Sequence, residues 1–224
     1  MQNRFLLAFF ILFLQGFAVS AQVSIKGGVN LASIAEEAVE ESFAEQSGKS
    51  VVGFQAGLTF DLATESAFSL QPEILYIQKG GIVRYGFNDN NKVESRYYYN
   101  YVEVPLLAKV KLYKAERNAG VYLIAGPYAG LAVSGKVKST VTILGFSTTS
   151  EEKLSFNNDD PDDRNRRLDW GFSFGGGLKF GQAYLDLRYN LGINNLLDQD
   201  ADNQNDNKPY RRNRGIGLAL GYSF

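Results

Sequence analysis

The sequence predicts an all-β fold, an eight-stranded antiparallel up-and-down barrel that crosses a membrane, and three observations carry that prediction. The first is the closing stretch RGIGLALGYSF, where Ile216, Leu218, Leu220, Tyr222 and Phe224 alternate with Gly215, Gly217, Ala219, Gly221 and Ser223. A period of two belongs to a strand, whose successive side chains point to opposite faces. One face here is large and apolar and the other is tiny. A soluble sheet normally charges its non-core face, whereas a small membrane barrel needs bulk toward lipid and little side chain in a narrow lumen. The second observation is the order of connections, which run long, short, long, short, long, short, long. Outer-membrane barrels have short periplasmic turns and longer outer loops, while a soluble sandwich has no reason to sort its loops this way.

The third observation is the N-terminus. Arg4 precedes an apolar run from Phe5 to about Leu14, followed by Ala18, Val19, Ser20 and Ala21. A basic start, a short apolar core and small residues read as a secretory signal peptide spanning 1–21, cut between Ala21 and Gln22. The run is short for a membrane helix. Residues 22–224 then form one barrel domain, and the predicted compartment is the cell outer membrane. No later stretch reaches 18 consecutive apolar residues, so a crossing must use a closed barrel, where every backbone group finds a partner.

Eight segments read as strands, at 23–30, 51–63, 68–79, 97–112, 120–135, 169–180, 183–191 and 214–224. A tilted strand needs about 9–11 residues to cross a bilayer. The first segment is slightly short of that and the seventh sits at its lower limit. In the second, Val52, Phe54, Ala56, Leu58, Phe60 and Leu62 face out, with Gly53, Gln55, Gly57, Thr59 and Asp61 in. In the sixth, Trp170, Phe172, Phe174, Leu178 and Phe180 face out over Gly171, Ser173, Gly175, Gly177 and Lys179. The seventh sends Ala183, Leu185, Leu187, Tyr189 and Leu191 to lipid and Tyr184, Asp186, Arg188 and Asn190 inward. Pro72, Pro105 and Pro127 fall inside proposed strands; a closed barrel has no edges to hold them, so bulges are expected there.

The long connections are 32–50, 80–96, 136–168 and 192–213; the short ones are 64–67, 113–119 and 181–182. Phe60, Phe68, Phe180, Tyr222 and Phe224 then fall at the periplasmic rim, and Tyr76, Tyr98 and Trp170 at the outer rim, as two aromatic belts. In the first long connection, Ile34, Ala38, Val39 and Phe43 make the apolar stripe of a short helix, with Glu36, Glu37, Glu40 and Glu41 in solvent. Asp159, Asp160, Asp162 and Asp163 cluster in the third. Asp198, Asp200, Asp202 and Asp206 are spaced like a calcium loop. Asn203 stands where the loop glycine belongs and Pro209 where the final glutamate belongs, so a solvated loop is expected and no metal.

Specific strings add a resemblance. VSIKGGVNLAS at 23–33, LQPEILYIQKG at 70–80, YVEVPLLAK at 101–109, AGPYAG at 125–130, LDLRYNLGINN at 185–195 and the final LGYSF resemble the PorT-like outer-membrane β-barrel family of Bacteroidota. The resemblance covers the whole mature chain and includes all three prolines. It implies an architecture similar to small OmpA- or OmpX-type barrels. It also implies, through Tyr222 and Phe224, that the last strand is read by the barrel-assembly machinery. Some members are associated with protein secretion, and no residue here carries that role over.

Chemistry narrows the function. The chain has no His and no Cys, which removes His-dependent triads, His–Asp proteases, disulfides and ordinary zinc sites. No catalytic residue, cofactor or metal is expected. With 23 Lys+Arg against 24 Asp+Glu, the near-neutral balance excludes a nucleic-acid partner. Glu73, Glu103, Lys109, Lys111, Lys179, Asp186 and Arg188 are assigned inward. Eight strands enclose a space about wide enough for side chains to fill. Glu73, Glu103, Lys109, Asp186 and Arg188 are therefore expected to pair as a structural plug. The expected molecule is a monomer in outer-membrane lipid, structural, adhesive or secretion- and assembly-associated through its outer loops. The alternatives are a narrow channel for small solutes or ions, and a secreted lipocalin-like barrel with its Phe and Leu rows turned inward.

Overall fold

The computed structural model describes residues 22–37, 49–62, 67–88, 90–114, 119–154, 166–196 and 210–224. The predicted signal peptide, the acidic clusters of the third and fourth long connections and the calcium-like spacing lie outside the described residues. Among these residues nine strands are present: β1 (Gln22–Glu37), β2 (Val51–Asp61), β3 (Phe68–Asn88), β4 (Asn91–Lys114), β5 (Ala119–Ile143), β6 (Phe146–Leu154), β7 (Leu168–Phe180), β8 (Ala183–Gly192) and β9 (Tyr210–Ser223). All neighbours pair antiparallel. Eight close a ring in the order β1-β2-β3-β4-β5-β7-β8-β9, sealed where β9 returns to β1 with Tyr222 opposite Ile25 and Leu218 opposite Val29. The eight-stranded barrel is therefore present, and β6 is an addition outside the ring, paired with β5.

The period of two decides which face each residue takes. Val52, Phe54, Leu58, Phe172, Phe174, Leu187, Ile216, Leu218, Leu220 and Phe224 all stand exposed on the outside, while Gln55, Thr59, Ser173, Asp186, Arg188 and Asn190 are buried inside. Such an arrangement is stable only where lipid covers the outer rows. The lipocalin-like alternative needed the reverse and is corrected by these faces. The residues predicted for the two aromatic belts stand outward, with Phe68, Phe180 and Phe224 exposed at one rim and Trp170 and Tyr76 at the other.

Inside, small residues make room for large ones. A Cβ on Gly221 would run into the ring of Tyr184, and one on Gly177 into the ring and hydroxyl of Tyr122. The small inner rows of β9 and β7 are thus the spaces into which two tyrosines cross, Tyr184 over Gly221 and Tyr122 over Gly177.

The three prolines do not bulge. Pro72 pairs with Leu106, and the ladder resumes in the same register at Leu75 opposite Glu103, the interruption falling across Pro105. Likewise Pro105 pairs with Tyr128 and Ala108 with Ala125 on either side of a gap facing Pro127. A proline deletes a donor without adding a residue, so a hydrogen bond is lost and the register is kept. True register shifts occur at Gly86/Asn88, at Asn100/Tyr101 and at Lys111/Tyr113.

The largest departure from expectation lies above the lipid. Residues 80–88 and 91–96 and the first part of 136–168 are strand, not loop. β3 and β4 run on until Asn88 pairs with Asn91, and β5 and β6 meet at Ile143 opposite Phe146. β4 continues to pair β5 as far as Lys92 opposite Thr142. The result is a four-stranded outer sheet, β3-β4-β5-β6, growing out of the barrel wall. From Asn100 to Asn91 it rises about 30 Å along the strand at the usual rise per residue. β1 also runs further than expected, and Ile34 is a buried strand residue rather than part of a helical stripe, which corrects that reading for the described part of the first connection.

Candidate functional site

The lumen holds most of the buried charge, and strand alternation puts it there. The central cluster joins Lys26 on β1, Glu73 on β3 and Asp186 and Arg188 on β8. Strands β3 and β8 are four places apart in the ring of eight, so the cluster ties diametrically opposite walls. Arg188 Nη1 and Nη2 donate to Glu73 Oε2 and Oε1 at 2.7 and 3.0 Å, and Nη2 also reaches Asp186 Oδ2 at 2.9 Å. Such a planar fork on a carboxylate is the strong form of a charged hydrogen bond. Lys26 Nζ donates to the same Glu73 at 2.9 Å and lies 3.7 Å from Asp186. Gln71 Nε2 completes the set at 2.6 Å from Glu73 Oε1.

A second cluster sits toward the outer mouth. Lys79 on β3 pairs with Glu103 on β4 and, at 2.9 Å, with Asp169 on β7. Its ammonium lies 4.2 Å from the ring centroid of Tyr128 and 5.3 Å from that of Tyr101, within cation–π range. Asn213 on β9 donates to Asp169 at 3.0 Å. Toward the periplasmic end Lys109 pairs with Asp61 at 2.7 Å beneath the ring of Tyr122. Beside it Thr59 and Tyr184 share a hydrogen bond of 2.9 Å, and Ser24 one with Ser223.

The five predicted lumen residues are all buried, but they fall into three groups. Glu73, Asp186 and Arg188 meet; Glu103 joins the outer cluster; Lys109 joins the inner one. Lys179 is half-buried and donates to Gln22 at 3.0 Å. Lys26, Lys79 and Asp169 are absent from the sequence-predicted set although each is buried and paired. Their parity was available: Lys79 follows Glu73 by six residues, and Asp169 precedes the outward Trp170.

Two gaps between the described lumen side chains are small. A cavity of about 10 Å³ lies among Thr59, Asp61, Lys109, Tyr122 and Tyr184, and the gap beside Lys79, Tyr128 and Asn213 has a volume of about 0 Å³. The first is at the lower limit for a single water molecule.

The C-terminal residues occupy the barrel seam. Phe224 N donates to Val23 O at 2.9 Å, and the rings of Tyr222 and Phe224 meet edge to face at 5.6 Å on the lipid side.

With the geometry described, comparison with known proteins adds the family. The model of the outer membrane protein beta-barrel domain matches residues 13–198. No curated protein matches the chain. Among solved structures, the chain is similar to Ail, the attachment invasion locus protein of Yersinia pestis, in complex with the heparin analogue sucrose octasulfate. That likeness has a TM-score of 0.41 at 16% identity over 92% of this chain and 100% of that one. Neisserial surface protein A is similar with a TM-score of 0.43 at 12% identity, over 92% of this chain and 99% of that one. The N-terminal barrel domain of Pseudomonas aeruginosa OprF gives a TM-score of 0.30 at 10% identity, over 92% and 100%. The chain belongs to the outer membrane β-barrel family, and its place is the outer membrane.

Proposed function

We propose that this outer-membrane barrel is a closed, non-enzymatic anchor whose work is done by what it holds above the lipid. It acts as a structural, adhesive or assembly-partner protein, a monomer in the membrane, placed among the PorT-like barrels by the strings quoted above. One observation carries the reading. The lumen is crossed by ion pairs between opposite walls, and the cavity beside Lys109 and Tyr184 holds about 10 Å³, while four strands continue outward as an ordered sheet. A barrel of eight strands is about wide enough for side chains to fill it, and here the filling charges are cross-linked in place. The alternative is a narrow channel, favoured by the charged, continuous lining of the lumen. Planar-bilayer recordings of the purified protein decide between them. No steady conductance is expected from the wild type, and a large steady conductance overturns the plug and promotes the channel.

A further inference from the structure

The outer sheet has two unlike faces. On the face that continues the lumen stand Val83, Val93, Tyr97, Val137 and Val141, with Glu152 as the charged residue among those described. On the face that continues the lipid-facing wall the charges collect. Their rows follow directly from register. The last apolar row, Tyr76 and Val102, is followed by Gln78, Asn100 and Ser134, linked side chain to side chain at 3.0 and 2.8 Å. One step higher come Tyr98 and Lys136 with Lys153, and then Arg96 and Lys138 with Glu151. The charged rows thus begin about 7 Å along the strand past the polar row that ends the apolar belt, a distance comparable with the thickness of a headgroup layer.

Each carboxylate on this face is shared by two cations. Glu94 accepts from Arg84 and from Arg96 at 2.5 and 2.6 Å. Glu151 accepts from Lys136 at 3.2 Å and Lys138 at 2.9 Å. Both triads keep an excess positive charge, and Lys153 and Lys92 stand on the same face. Among the described residues six cations therefore stand with two carboxylates on one face of one sheet. The side chains are accessible: Lys136 and Lys138 expose 39% and 40% and Arg96 50%. A chain that is near neutral as a whole has concentrated its positive charge where the wall leaves the lipid.

We propose that this face is a binding site for the phosphate-bearing headgroups of glycolipids in the outer leaflet. Charge complementarity selects the occupant: multivalent anions at fixed height meet rows of lysine and arginine. The Tyr98 ring, 5.8 Å from Lys136 Nζ, supplies an amphipathic edge at the same level. The binding holds the sheet against the membrane surface and sets the direction in which its other face is presented. This rests on the outer-membrane location and not on the closed lumen, so the conductance measurement and the following test fail independently.

Folded full-length protein in detergent micelles is titrated with diphosphorylated lipid A, with the same lipid stripped of its phosphates, and with sodium tripolyphosphate. Bound lipid is counted by native mass spectrometry. The diphosphorylated lipid is expected to bind at least about tenfold tighter than the stripped one, by attraction of the clustered lysines. The preference should weaken as salt is raised. The triple variant Lys136→Gln, Lys138→Gln, Lys153→Gln should lose the preference, and Glu151→Gln, which releases Lys136 and Lys138 from their partner, should widen it. Heat-modifiability on gels checks that the barrel of each variant is folded. Equal binding of the two lipids, or a triple variant that keeps the full preference, overturns the proposal. Tripolyphosphate displacing the lipid at equal concentration also overturns it, in favour of a free-anion site.

Discussion

Lysine, arginine and carboxylate serve both ends of this molecule, and burial makes them different objects. In the lumen Arg188 and Glu73 expose 4% and 0% of their side chains, and each is held by partners from the opposite wall. In the outer sheet Arg96 exposes 50% of its side chain and meets Glu94 two residues away on the same strand. A lumen pair has no water to return to if its partner is removed; an outer pair does. The lumen therefore uses charge to lock strands together, while the sheet leaves charge available to something else.

The largest test of this contrast is a pair of truncations. Arg188→Ala leaves Glu73 and Asp186 buried with Lys26, and Gln71 on Glu73, to hold them, and should cost about 3–5 kcal/mol of barrel stability. Arg96→Ala should cost at most about 1 kcal/mol. Urea unfolding of both variants in lipid vesicles measures the difference, and equal losses would remove the distinction drawn between the two regions. The same pair is expected to open no large conductance.

Packing should separate the regions too. Gly221→Val places methyl groups against the Tyr184 ring and should cost about 1–3 kcal/mol by overpacking. Thr148→Val on exposed β6 should stay within about 0.5 kcal/mol. A tolerated Gly221→Val would mean that the tyrosines of the lumen are free to move aside.

The seam comes next. Deleting Phe224 removes the amide that donates to Val23 O and the terminal ring on the lipid side. The expected outcome is less folded protein in membranes with synthesis unchanged, together with normal refolding of the purified variant in detergent. That combination marks Tyr222 and Phe224 as an assembly signal. A refolding defect as large as the cellular one would assign the residue to seam closure instead, and normal abundance in cells would leave it neither role.

The smallest effect belongs to the outer hairpin. Leu144 and Gly145 connect β5 to β6 with φ of 51° and 83°, a turn that asks for positive φ at both central positions. Leucine is strained there, so Leu144→Gly should stabilise the hairpin by about 1 kcal/mol. Slower amide exchange in 140–150 with an unchanged global unfolding midpoint would show that sheet and barrel open separately. A raised midpoint would show that they are one cooperative unit.

Most of the barrel was legible because lipid enforces a pattern that water does not. Every spanning strand must alternate large apolar residues with small or polar ones, so Phe54, Phe174 and Leu218 announce their face, and Glu73, Asp186 and Arg188 announce the other. The pattern stops where the lipid stops. Beyond Lys79 on β3 and before Tyr97 on β4 the chain continues as strand with Arg84, Glu94 and Arg96 on the outward face, so the outward apolar row that marks a spanning strand stops. β6, FSTTSEEKL, is exposed along its length and has no periodicity to read. For that reason 80–96 and 136–154 pass for loops in the sequence.

Sequence alone determined the closed barrel, its inner and outer faces and its compartment. Those follow from a period of two and from a solvent that tolerates no unpaired backbone. Tertiary structure decided who meets whom. Whether Glu73 is met by Arg188, 115 residues away, or Lys79 by Asp169, depends on ring closure and strand stagger, which bring together residues that no local spacing relates. It also decided that three prolines interrupt the ladder without shifting it, and that two hairpins extend into one sheet. Both outcomes are set by pairing between strands, and pairing is a property of neighbours in space.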